Sequence, residues 1–71
     1  MSDELTKRHL ALAIHHLKIG ERLVQEQEQR VEYLDKNGHD ATSSKRFLGL
    51  LIQTLTLMRE HLAQLERETP R

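Results

Sequence analysis

The chain has 71 residues, no cysteine, one Phe and one Tyr, and its eleven basic and eleven acidic residues cancel. One domain is the most this length allows; disulfides and thiolate-held metals are excluded, and a core this small supplies only about 3–5 kcal/mol unless a partner helps. The charge balance removes the phosphate-directed attraction on which nucleic-acid binders depend, and no apolar run approaches the ~18 residues of a membrane span.

The first element begins near the N-terminus. "MSDELTKRHL" lacks the apolar core of a signal peptide, so a cytoplasmic protein is expected. Ser2 can cap a helix, and Asp3 and Glu4 suit the positive end of its dipole. Leu10, Leu17, Val24 and Val31 then recur every seven residues, and Ala13, Gly20, Gln27 and Leu34 follow each by three. This is an a/d heptad pattern, weakened at Gly20 and Gln27. The first helix is predicted over residues 3–37.

"NGHD" supplies the turn, residues 38–40. Lys36 is a cation in the last helical turn, Asn37 ends the helix, and Gly38 can adopt the left-handed conformation after it. Asp40 is the preferred N-cap of a second helix over residues 41–68, because a start at Ser43 would set Lys45 and Arg46 against the dipole. Leu48, Leu55 and Leu62 occupy its a positions and Leu51, Met58 and Leu65 its d positions, before Thr69 and Pro70 stop it. Folding about the turn pairs positions whose numbers sum to roughly 79–82. Val31 then meets Leu48 or Leu51, Val24 meets Leu55 or Met58, and Gly20 meets Met58 or Leu62.

Each helix carries a second apolar row. On the first, Leu5, Leu12 and Ile19 take c positions, with His9, His16 and Leu23 at g. On the second, Leu50 and Leu57 take c, with Phe47, Thr54 and His61 at g. One partner helix cannot cover so wide an apolar arc, and a lone hairpin has no enclosed core. Leu5, Leu12, His16, Ile19, Leu23, Phe47, Leu50, Leu57 and His61 are therefore the expected oligomer interface.

Chemistry is harder to find. His9 and His16 stand seven residues apart, about 10 Å along the axis, where chelation on one helix wants i and i+3 or i+4. His16 and His61 fall near each other in the hairpin register without a carboxylate on their face. The serines near the turn are capping residues with no fixed base, apart from His39. No catalytic residue, metal ligand or cofactor is assigned.

The stretch His16 to Glu66 resembles a family of short uncharacterised bacterial proteins. The resemblance rests on His16, Gly20, Glu21, Gln27, Val31 and Leu34, then Gly38-His39-Asp40, then Leu48, Leu51, Leu55, Met58 and Leu62. Ala41 and Ser44 depart from it, standing where Thr and an acidic residue are expected. What the resemblance implies is a helical hairpin, with no activity attached.

The expectation is an all-α, coiled-coil-like antiparallel two-helix hairpin that dimerises into a four-helix bundle. It would act as a non-enzymatic, self-associating interaction module whose partner is itself, as homodimer or tetramer, or another protein, with neither nucleic acid nor membrane. The competing reading is a small signalling or phosphotransfer component using an exposed histidine. His15-His16 is followed by Leu17-Lys18 rather than by an acid, and the His39-Asp40 step lies in the turn.

Overall fold

The computed structural model describes residues 2–68, with side chains from residue 4 onward. It contains two helices, α1 (Ser2–Lys36) and α2 (Thr42–Glu68), folded back on each other into a hairpin measuring 55 × 14 × 14 Å. No strand occurs among the described residues. The side chains of Ser2 and Asp3, and the stop signals Thr69 and Pro70, lie outside them.

α1 ends where its backbone can be satisfied without continuing the helix. Gly38 takes φ +69°, a region that side chains with a Cβ resist. That twist brings the His39 N–H to the Leu34 carbonyl (2.9 Å) and the Gly38 N–H to the Asp35 carbonyl (3.3 Å), the paired bonds of a Schellman motif. The Asn37 side chain adds a bond to the Tyr33 carbonyl at 2.7 Å. Asn37 itself lies one residue past the helix end.

α2 starts one residue later than expected. The Ala41 carbonyl accepts the first helical bond, from the Lys45 N–H at 2.8 Å, so Ala41 holds the N-cap position by backbone pattern. Asp40 still supplies the capping oxygen: its Oδ1 accepts from the Thr42 N–H (3.0 Å) and the Thr42 hydroxyl (2.6 Å). Ala41 fills the corner between the helices and is the least exposed residue described, at 5%.

These bonds give the turn a pH dependence. The Thr42 hydroxyl, then its N–H, hold the Asp40 carboxyl below its usual value. A lowered folded pKa stabilises the fold fully above the unfolded value of about 3.9 and loses that stabilisation as pH falls through the folded value. The thermal midpoint should therefore drop as pH is lowered from about 5 through the unfolded value of about 3.9 and below. Asp40→Asn, which keeps a capping oxygen but no titrating proton, should shrink that drop. Equal drops in both proteins would remove Asp40 as its source.

The a and d side chains meet along the inside of the hairpin. Leu55 and Leu65 are buried, and Leu10, Leu17, Val24, Val31, Leu34, Leu48, Leu51, Met58 and Leu62 are half-buried. The two weak seam positions have specific uses. A Cβ on Gly20 would stand 3.3 Å from both Leu55 Cδ1 and Met58 Sδ, so glycine lets the helices approach closely there. Gln27 reaches across the gap, its Nε2 donating to the Ser44 carbonyl at 3.0 Å. Gly20 faces Met58, as the register predicts, and Leu55 beside it, and the pairs Asp35–Lys45 and Glu21–Arg59 both fall within the expected sums.

Candidate functional site

In an antiparallel pair, e positions flank the seam on one edge and g positions on the other. The two edges of this hairpin differ chemically. On the e edge, Lys45 Nζ meets Asp35 Oδ2 at 3.3 Å and Arg59 Nη2 meets Glu21 Oε2 at 3.5 Å. All four side chains are about half exposed or more, so these pairs mark register more than they add stability. On the g edge, an open apolar groove runs the length of the hairpin.

Three joined depressions make up this groove. The central one lies between His16, Ile19, Gly20 and Leu23 of α1 and Leu51, Thr54, Leu55 and Met58 of α2. Sharing Leu23 and Leu51, the groove continues toward the turn past Phe47 and Gln27, where Glu26 and Arg30 form its charged end. Sharing His16, it continues toward the open end past His9, Leu12, Ala13 and His61.

The residues expected at an interface distribute over this face. Leu12, His16, Ile19, Leu23, Phe47 and His61 line the groove, with only Ile19 half-buried and the rest exposed. Leu5, Leu50 and Leu57 stand outside those depressions and are more than half exposed, Leu57 most of all at 65%. Leu57 instead borders a shallow hollow on the outer side of α2, with Ile52, Gln53 and Thr56. Ile14, Tyr33 and Ile52 are further exposed large residues: Ile14 and Ile52 fall at e positions, off both rows, and Tyr33 lies at a c position two heptads beyond Ile19.

Three histidines line the open end of the groove, yet among the described residues no three His, Asp or Glu are grouped to hold a metal ion. The rings of His15 and His16 stand 6.1 Å apart and tilted, the first on the outer face. No described helix is long and apolar enough to cross a membrane.

The chain carries more surface than its mass requires. Its accessible area is 5863 Å² for 8.3 kDa, about 1,300 Å² above the scaling for folded monomers. Among the described residues no side chain is fully buried. No family model matches the chain, and no curated protein or solved structure matches it.

Proposed function

We propose that this chain is a non-enzymatic interaction module that self-associates, two hairpins packing groove to groove as a four-helix bundle. The groove carries the reading, because it leaves apolar side chains in water along one whole edge, while the opposite edge carries two ion pairs beside the exposed Ile14 and Ile52. At 100° per residue, the second apolar row of each helix is centred about 110° from its seam. That angle suits a square bundle, in which each helix has one neighbour within its own chain and one in the other. The surplus surface also exceeds the roughly 800 Å² per partner that a standard interface buries. A net charge of zero leaves two copies without overall repulsion.

Leu57→Glu tests this directly. The side chain is exposed in the single hairpin, so the hairpin tolerates a carboxylate there, whereas an interface would bury it unpaired at a cost of several kcal/mol. Sedimentation should show the parent near twice 8.3 kDa and the variant dissociating at a protein concentration roughly a hundredfold higher or more. An unchanged mass distribution would place this row in solvent.

A further inference from the structure

The groove has two walls of different character. On α1, the second apolar row runs into Glu26 and Arg30 as it nears the turn. On α2, residues 47–58, "FLGLLIQTLTLM", contain no charged side chain, between Arg46 and Arg59. Twelve residues make about 18 Å of helix. The seam uses Leu48, Leu51, Leu55 and Met58 from this stretch, leaving Phe47, Leu50 and Leu57 each more than half exposed.

From this we propose that, in the dimer inferred above, α2 packs antiparallel against α2 of the second copy, with the two-fold axis at Thr54 and the turns at opposite ends. The proposal rests on self-association and adds its geometry. An isologous contact must be complementary to itself. The row Phe47, Leu50, Thr54, Leu57, His61 steps by 3, 4, 3 and 4 residues. Reversed about Thr54, it lays Phe47 over the second copy's His61, and Leu50 over its Leu57 to within one residue. No charge meets a like charge anywhere along this overlap.

The hydroxyls on this span are already satisfied. Thr54 Oγ1 donates to the Leu50 carbonyl at 2.9 Å, and Thr56 Oγ1 to the Ile52 carbonyl at 3.0 Å. Each bond ties the polar atom back to its own helix, so covering the face with a second α2 strands no hydroxyl donor. Thr54 can therefore sit on a two-fold axis with its methyl group facing its symmetry mate. In the square bundle the same axis meets α1 at the level of Glu26, where charged side chains hold the two α1 helices further apart, so the closely packed contact is assigned to α2.

The chain has no native cysteine, so single thiols report cleanly. Two nitroxide-labelled variants and one cross-link decide the geometry. With the axis at Thr54, labels on Ser43→Cys lie about 33 Å apart along the helix axis, and a short bismaleimide joins Thr54→Cys chains into covalent dimers. A dimeric mass with Ser43 labels within one bundle width, roughly 20 Å, would overturn the arrangement while leaving self-association standing. Absence of the Thr54 cross-link in a dimer would move the axis elsewhere and overturn it too. A monomeric mass at every concentration would overturn both the arrangement and the self-association beneath it. Labels on Leu12→Cys give a second distance: residue 26 of α1 stands level with Thr54, so in the square bundle they lie about 42 Å apart along the antiparallel α1 pair.

Discussion

Leu55→Ala should abolish cooperative folding at room temperature. Leu55 is 6% exposed and lies over Gly20, where the helices come closest, so the neighbouring backbone has little slack with which to refill the space. Truncating a buried leucine costs about 2–5 kcal/mol, and the cost is highest where the site cannot collapse. A chain of this length has about 3–5 kcal/mol in total to lose. Thermal melts by far-ultraviolet circular dichroism should change from sigmoidal to broad and sloping. Leu50→Ala, a truncation on the exposed face, should keep the sigmoid at low protein concentration. If both variants melt like the parent, the seam is not where the stability resides.

Gly38→Val should be the second most damaging single change. The residue needs φ +69°, and a β-branched side chain there is strained by about 1–3 kcal/mol. Nothing lies within 4 Å of a Cβ at this position, so the penalty comes from the backbone alone and not from a clash. Two outcomes relieve it. Either the Schellman bonds from Gly38 and His39 break, or the turn rewinds and α1 runs on toward α2 as one helix. Urea titration should show a midpoint lowered by that amount, and Gly38→Asn, which tolerates the left-handed region better, should recover part of it. A parent-like midpoint in Gly38→Val would mean that the turn has some other conformation in solution.

The seam was legible because a seven-residue period of leucine and valine has few other solutions, and the turn because Lys36-Asn37-Gly38 carries both a C-terminal cation and a residue free to take positive φ. Other features were not. Ala41 is the least exposed residue described, yet alanine beside a turn gives no hydrophobic signal; extending the heptad seven residues back from Leu48 would have reached it. The start of α2 moved one residue because an aspartate can bond the N–H two positions on whether or not its own carbonyl opens the helix. Register, by contrast, was legible because the short turn limits how far one helix can slide on the other: Gly20 meets Met58, one of its two expected partners. The apolar row on the groove edge was readable as a pattern. Its single-chain geometry, with ion pairs on one edge and none lining the centre of the other, depends on side-chain positions that a repeat does not specify.

The hairpin's cross-links are spread unevenly in chain distance. Lys45 and Asp35 are ten residues apart, while Arg59 and Glu21 are thirty-eight apart. Closing each successive rung outward from the turn therefore means enclosing a longer loop, and the entropic cost of closure grows with the logarithm of its length. The turn, preset by Gly38 and Asp40, is the cheapest place to begin. Folding should start there and zip outward, and spontaneous opening should run in reverse, from the free ends inward. α1 is eight residues longer than α2, so about 12 Å of it projects past the point where its own partner stops. The end of the molecule that closes last is thus also the end with the most unshared helix among the described residues.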